Sequence, residues 1–159
     1  QIVQNVLKER FLTIGTAKVS TSAVEAFELG YLQQGKYAVT TNRKRLLGDA
    51  KAKAIALADA GYVQPVPRND IKVLGKQGLG IVYVGASSMR AGNYISDHDK
   101  LISEKLGWVM CGADLSAPTE VSEQYLLDLE RRAFLELCAE RKTLERIQHM
   151  LTKGKALRN

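Results

Sequence analysis

The sequence predicts a mainly α fold of about six helices with at most one short strand. Three observations support this prediction. Apolar residues recur at intervals of three and four along most of the 159 residues, as on the inward face of a helix. Capping residues stand where these patterns begin, and glycines stand where they end. Strict alternation of apolar and polar residues is confined to the region of Ile71 and Val73, which predicts a short strand or an extended passage.

Two helices are predicted in the first part of the chain. The first contains the apolar residues Ile2, Val6, Leu7, Phe11 and Ile14. In the second, Ser22 can cap the first turn, Glu25 can return a bond to the Ser22 amide, and Gly30 favours the left-handed residue that ends a helix. The chain begins inside a helical pattern, without an initiator methionine or a signal segment. We therefore expect a piece of a longer protein whose missing part lies upstream.

A third helix is predicted over residues 42–60, and Gly61 is expected to end it. Its apolar face contains Leu47, Ala50, Ala54, Leu57 and Ala58. Pro65 and Pro67 then favour extended backbone and lack the amide donor that a helix requires. The chain is therefore predicted as one helical region, 1–159, in three parts: residues 1–62, a proline-containing linker of residues 63–76, and residues 77–159.

The patterns after the linker again predict helices. The next helix presents Leu79, Val82, Tyr83, Ala86 and Met89 on one face and stops at Gly92. A second capping-box pair, Ser96 with Asp99, begins a helix that stops at Gly112. The last two helices are predicted over residues 119–138 and 143–153. The helix 119–138 has a wide apolar face, which favours contact with two neighbours, either other helices or another subunit.

The composition is typical of a globular protein, with 45% hydrophobic and 25% charged residues. No run approaches the roughly 18 apolar residues that cross a bilayer, so no membrane partner is expected. Cys111 and Cys138 lack a CxxC spacing and are interpreted as reduced structural thiols of a cytoplasmic protein. The net charge of +6 favours anionic partners, which include nucleic acid, acidic lipid and phosphate-bearing cofactors.

Four patterns could carry chemistry, and each has a structural interpretation. The glycines of Gly75–Gly80 are spaced in the reverse order of the dinucleotide fingerprint, which favours a flexible start of a helix. The side chains of Asp97–Asp99 diverge by about 100° per helical residue, and acids favour a first helical turn. His149 stands alone, and Ser87–Ser88 lacks a nucleophile elbow. No catalytic residue and no metal ligand is therefore predicted.

Basic residues form two clusters. The first contains Arg43, Lys44, Arg45, Lys51 and Lys53. The second contains Lys142, Arg146, Lys153, Lys155 and Arg158. Binding to single-stranded nucleic acid favours aromatic residues interleaved with the charges, but the 6% aromatic residues are scattered. Most of these charges are interpreted as a solvated face, and a minority as contacts to phosphate.

Four segments carry a resemblance to a known family. They are Phe11–Val19 with Ser22–Leu32, residues 42–62 with Pro65-x-Pro67-Arg68, residues 92–99, and residues 123–131 continuing to 140–151. Together they resemble the C-terminal end of bacterial proteins that join a 3-hydroxyacyl-CoA dehydrogenase to a crotonase-type (enoyl-CoA hydratase/isomerase) module. The pattern Ser-Ala-x-Glu-Ala-x-x-x-Gly at Ser22–Gly30 resembles the segment that follows the active site in that superfamily.

The resemblance implies an enzyme of fatty-acid β-oxidation, an oxidoreductase joined to a lyase. Such a parent hydrates a trans-2-enoyl-CoA and then oxidises the 3-hydroxyacyl-CoA with NAD. In this family the oxyanion-hole amides, the catalytic glutamates and the NAD fingerprint precede the matched part. The resemblance therefore implies that this chain carries no catalytic residue, binds no cofactor by itself and is inactive alone.

The roles that the resemblance implies are non-catalytic. The chain is expected to resemble the C-terminal helical part of a crotonase fold without its sheet core, to help cover acyl-CoA, and to contact upstream domains or a second copy. Lys153, Lys155 and Arg158 are the expected contacts to the coenzyme A phosphates. An alternative from another class is a basic, all-helical adaptor that binds nucleic acid or protein.

Overall fold

The computed structural model describes residues 2–159 and confirms the mainly helical fold class. Its helices are α1 (Ile2–Gly15), α2 (Ala23–Glu28), α3 (Leu46–Asp59), α4 (Gly75–Ala91), α5 (Asp97–Met110), α6 (Glu123–Cys138) and α7 (Arg141–Lys153). The strands are β1 (Ile71–Val73) and β2 (Thr119–Val121), and a 3-10 turn, Arg43–Arg45, precedes α3. None of the helices in the described residues is long and apolar enough to cross a membrane.

The chain forms two compact units. The smaller unit is Lys18–Val66, with α2 and α3. The larger unit contains the residues through Ala17 and Pro67–Asn159, and it holds α1 and all elements from β1 to α7. The division of the chain into three parts stays a prediction. The chain passes from the smaller unit back to the larger unit between Val66 and Pro67, which lies inside the predicted linker.

Local hydrogen bonds define the helices of the smaller unit. The Ser22 hydroxyl accepts the Glu25 amide at 3.1 Å, as predicted. The Glu25 carboxylate accepts the Thr21 amide at 2.7 Å, where the prediction placed the Ser22 amide. Gly30 is left-handed with φ 75°, which ends this helix as expected. The α3 helix begins later than predicted because the preceding turn is 3-10, and none of its residues is buried.

The small sheet of the larger unit corrects one predicted boundary. A helix was predicted from residue 119, but Thr119 pairs with Val73 and Val121 pairs with Ile71 in an antiparallel register. The helix α6 starts only after Ser122, whose hydroxyl accepts the Tyr125 amide at 3.1 Å. The sequence therefore does not reveal the second strand. Residues 119–121 continue the helical spacing of apolar residues in α6, but their pairing with β1 overrides that pattern.

Close backbone packing explains the glycines at the start of α4. A Cβ on Gly78 would lie 2.9 Å from the Cys111 sulfur, and one on Gly75 would lie 2.9 Å from the Ala117 oxygen. The amides of Gly75 and Lys76 donate to the Cys111 and Leu115 carbonyls, each at 2.8 Å. This segment begins a helix as predicted, but it is packed against the neighbouring loop. Its first amides are engaged by protein carbonyls, which leaves them unable to hold a phosphate.

The core of the larger unit lies between α1, α4 and α5. The buried residues Leu7, Leu79 and Cys111 form its centre. At the α4–α5 crossing, a Cβ on Gly107 would lie 2.9 Å from the Val82 Cβ, so this glycine allows the two helices to approach closely. The helix α6 contacts α5 on one side and α7 on the other, which agrees with the two neighbours predicted from its wide apolar face.

Candidate functional site

A cleft of about 410 Å³ opens where the end of α4 and the start of α5 meet α7 and the chain after it. We call it the cationic cleft and define it by Arg90, Asn93, Tyr94, Lys142 and Arg158. Two carboxylates, Asp97 and Asp99, also line it. The cleft brings two of the segments that carry the family resemblance into one place, although about 40 residues separate them in sequence.

Both carboxylates of the cleft are already engaged. The Asp97 carboxylate accepts Arg90 Nη2 at 3.1 Å, and the hydrogen bonds from Arg90 lower the pKa of Asp97. The Asp99 carboxylate accepts Arg146 Nη1 at 2.7 Å and the Ser96 amide at 3.0 Å. Burial raises the pKa of Asp99, but these hydrogen bonds outweigh burial, so its pKa lies below the ordinary value. Neither carboxylate is a candidate proton donor near neutral pH.

Two cations of the cleft form no close ion pair with a described carboxylate, although Lys142, after Arg90, contributes from farther away to lowering the pKa of Asp97. Within residues 2–159, no carboxylate lies within 4.0 Å of Lys142 or of Arg158, and both residues are exposed. The Asn93 and Tyr94 side chains stand beside them as polar neighbours. This arrangement suits a ligand that carries negative charge, because guanidinium and ammonium groups are the side chains that bind phosphate best.

The end of the chain places Arg158 over the cleft. Gly154 is left-handed with φ 64°, so the chain turns back after α7. Asn159 holds the returning segment, since its Oδ1 accepts Arg146 Nε and its Nδ2 donates to the Glu145 carboxylate, each at 2.8 Å. The hydrogen bonds from Asn159 and Arg141 lower the pKa of Glu145. Arg146 therefore joins α5 and the chain end through one guanidinium group.

The structure places the three expected phosphate contacts differently. Arg158 lines the cationic cleft. Lys153 is the last residue of α7 and Lys155 follows Gly154; both are exposed, and neither lines the cleft. The sequence places Lys142 in the same basic cluster without marking it as a phosphate contact, and it gives no sign that Arg90 lines the cleft. The one sequence signal for the approach of Arg158 to Lys142 is Gly154, because a left-handed turn there reverses the chain toward the start of α7.

The Asp97–Asp99 segment does not converge on one point. His98 is buried, and its Nε2 lies 3.0 Å from the Thr143 hydroxyl of α7. Burial, assisted by Arg146 and Lys142, lowers the pKa of His98, so the imidazole is neutral at pH 7. The three side chains thus engage α4, α7 and Arg146 separately. Across residues 2–159, no group of three or more metal-ligating side chains could hold a metal ion.

The cysteines lie away from the cleft. Cys111 is fully buried in the core, and burial raises the pKa of its thiol to about 11. A thiol with that pKa is protonated at neutral pH and is a poor nucleophile. Cys138 is half-buried near the end of α6, and both cysteines are free.

Two further depressions continue from the cationic cleft. The first, the middle cleft, has a volume of about 330 Å³ and shares Tyr94, Asp99 and Arg158 with the cationic cleft. The second, the apolar groove, has a volume of about 200 Å³ and lies between α1 and α4. Its lining includes Leu7, Phe11, Leu12, Ile81, Gly85 and Met89. The middle cleft and the apolar groove share Phe11, Leu12 and Met89, so one surface leads from cations to apolar side chains.

Comparison with known proteins gives one informative similarity. The chain is 44% identical over 155 residues to a protein of Bacillus subtilis (strain 168) described as "Probable 3-hydroxyacyl-CoA dehydrogenase". The alignment covers 98% of this chain, and the chain spans only 19% of the length of that relative. No protein-family model matches the chain. No solved structure matches it either.

Proposed function

We propose that the chain is a segment of a 3-hydroxyacyl-CoA dehydrogenase with an enoyl-CoA hydratase-type module, and that it acts in fatty-acid oxidation in the cytoplasm. The observation that carries this proposal is the similarity along almost the whole chain to the relative of that name. The four family-like segments found in the sequence support the same assignment. The chain's own role is to help cover acyl-CoA, and the chemistry belongs to the remainder of the protein.

The cationic cleft is the part of this segment that meets coenzyme A. Coenzyme A carries a pyrophosphate and a 3′-phosphate, and the charges of Lys142 and Arg158, which form no close ion pair with a described carboxylate, complement them. The Tyr94 ring is 79% exposed beside these charges and can lie against an adenine. Arg158 therefore remains a proposed phosphate contact, and Lys142 takes the place that the sequence suggested for Lys153 and Lys155.

The glycine segment at the start of α4 does not fit NAD. The amides at the start of α4, which a dinucleotide loop would direct at a pyrophosphate, donate to the carbonyls of Cys111 and Leu115. We assign NAD to another part of the longer protein. Asp97, His98 and Asp99 are each engaged by another side chain, so none of the three is a candidate acid or base for hydration.

Assembly with the rest of the longer protein is the second part of the proposal. Large apolar side chains on α6 and α7 are exposed, with Phe134 at 55%, Leu135 at 64% and Leu151 at 79%. Exposed apolar patches of this kind mark contact surfaces. The relative is about five times longer than this chain, so other parts of the same protein are the natural occupants. A second copy is the alternative occupant.

Titration calorimetry with coenzyme A tests the proposal. The double variant Lys142→Ala/Arg158→Ala should bind coenzyme A about ten-fold more weakly, since each exposed ion pair contributes up to about 1 kcal/mol. The matched control Lys153→Ala/Lys155→Ala removes the same charge from the same end of the chain and should change the affinity less than about two-fold. Equal losses of affinity in the two variants would contradict the assignment of coenzyme A to the cationic cleft.

Duplex DNA of random sequence, titrated at two salt concentrations, tests the adaptor alternative. Phosphate contacts to a duplex weaken steeply with salt, with a logarithmic slope of about −0.9 per phosphate. Tight DNA binding with such a slope, together with no binding of coenzyme A, would replace the enzyme-segment proposal with the adaptor.

A further inference from the structure

We propose that the cationic cleft, the middle cleft and the apolar groove together bind one amphipathic anion, with its charged head at Arg158 and its hydrocarbon chain between α1 and α4. This inference rests on the proposed function for the head group. It adds a subsite for the chain in the larger unit. The shared chemistry is an anionic head joined to a methylene chain, which an acyl-CoA and a free fatty acid both have.

Continuity of the surface is the first support. Phe11 and Met89 line both the apolar groove and the middle cleft, and Arg158 lines both the middle cleft and the cationic cleft. A ligand with its head at Arg158 therefore meets a connected path into the apolar groove. All of this path belongs to the larger unit.

The apolar side chains at the groove are the second support. Leu12 is 51% exposed and Met89 is 36% exposed, although both face a groove that is lined almost only by carbon. No described residue covers them. A methylene chain would remove this surface from water, which is the main favourable term in binding an apolar ligand.

The path changes from polar to apolar, as an amphipathic ligand does between its head and its hydrocarbon chain. The middle cleft adds the Ser103 hydroxyl and the Arg146 guanidinium to its apolar lining, whereas the Thr16 hydroxyl in the same lining donates to the Leu12 carbonyl at 2.7 Å. A thioester or carboxylate junction between head and chain would lie among these hydrogen-bonding groups. Beyond them, Lys8 is the one charged side chain that lines the apolar groove in the described residues.

Gly85 offers a direct way to fill the groove. It lies inside α4, and a Cβ built there would meet nothing within 4 Å, so a larger side chain fits without strain and projects into the groove. Gly80 is a matched control because it lies in the same helix, is equally exposed, and also has nothing within 4 Å of a built Cβ. Gly80 does not line the groove. The substitutions Gly85→Leu and Gly80→Leu thus differ in location only.

The experiment is titration calorimetry of the 159-residue chain with coenzyme A, butyryl-CoA, octanoyl-CoA, lauroyl-CoA and laurate, all below their micellar concentrations. We expect the affinity to rise about three-fold per added methylene and to level off once the groove is full. Gly85→Leu should abolish this dependence, with at least a ten-fold loss for octanoyl-CoA and an unchanged affinity for coenzyme A. Gly80→Leu should bind like the parent chain.

The outcomes separate this inference from the proposed function. Binding of coenzyme A with no dependence on chain length, or equal effects of the two leucine substitutions, would overturn the subsite and leave the phosphate cleft intact. Laurate binding that Gly85→Leu removes, with no affinity for coenzyme A, would support the subsite and reject the phosphate cleft. If no probe binds, both are overturned. Circular dichroism of each variant verifies that the helices are retained.

Discussion

The two basic clusters of this chain look alike in sequence and differ in structure. In the smaller unit, Arg45 pairs with Asp49 on an exposed helix that buries none of its residues. In the larger unit, Lys142 at the start of α7 and Arg158 in the chain after α7 meet at one cleft. The difference shows that a turn in the backbone, and not the number of charges, brings these cations to one cleft.

The largest expected effect comes from disrupting the packing at the start of α4 in the larger unit, which also carries the second cluster. Gly75 has φ 57°, and a Cβ there would meet the backbone oxygens of Leu115 and Ala117, which cannot move away as a side chain can. Gly75→Ala should lower the free energy of unfolding of the larger unit by about 3 kcal/mol. Urea unfolding followed by fluorescence of Trp108, the single tryptophan of the chain, measures this loss.

Gly80→Ala is the control for that substitution. Gly80 lies in the same helix with open space around it, so alanine should stabilise the larger unit by up to about 1 kcal/mol through its higher helix propensity. If both alanine variants had the same stability, the packing explanation of the glycine segment would be wrong.

The next effect concerns the side chain that ties the chain end to the cleft. Arg146 binds the Asp99 carboxylate and Asn159, and its side chain is only 19% exposed. Arg146→Met keeps the length of the side chain but leaves a half-buried carboxylate without its partner. We expect a loss of about 2 kcal/mol in stability and a several-fold weaker binding of coenzyme A, because Arg158 is no longer held over the cleft. Arg141→Met, on the exposed side of the same helix, should have almost no effect on either measurement.

Much of the fold is encoded locally, and much of the site is not. The Ser96–Asp99 capping box and the glycines that end helices are short-range signals, and the structure has them where the sequence places them. The strand Thr119–Val121 was missed because its partner lies about 50 residues earlier in the chain. The convergence of Lys142 and Arg158 depends on the left-handed Gly154 and on hydrogen bonds from Asn159. Spacing alone does not indicate which cations such a turn brings together.

A third prediction concerns how the free energy of unfolding of the larger unit depends on pH. Burial lowers the pKa of His98, so the unfolded chain binds a proton there at a higher pH than the folded chain does. Stability from this residue is therefore present above the ordinary histidine pKa and is lost as the pH falls below about 6.5. Asp99, whose pKa is also lowered, loses its contribution only at a more acidic pH, below about 4.

Urea unfolding at pH 7.5 and 5.5 measures the histidine contribution. The parent chain should lose more stability between these two pH values than His98→Gln, which retains a hydrogen-bonding group toward Thr143 without an ionisable ring. Thr143→Val removes the partner hydroxyl and should cost about 1 kcal/mol at pH 7.5. A pH dependence that is identical in the parent chain and in His98→Gln would show that another group titrates.

The smallest expected effect belongs to the first basic cluster. Lys51→Ala/Lys53→Ala removes two exposed charges from α3, neither of which lines the cationic cleft or forms an ion pair with a described carboxylate. This variant has the same net charge as Lys142→Ala/Arg158→Ala, so long-range electrostatic attraction is reduced equally in both. We expect less than a two-fold change in the affinity for coenzyme A, measured by calorimetry at 0.15 M salt, where charges farther apart than about 8 Å are screened. A loss as large as that of the cleft variant would mean that net charge attracts the ligand, and the distinction between the two clusters would fail.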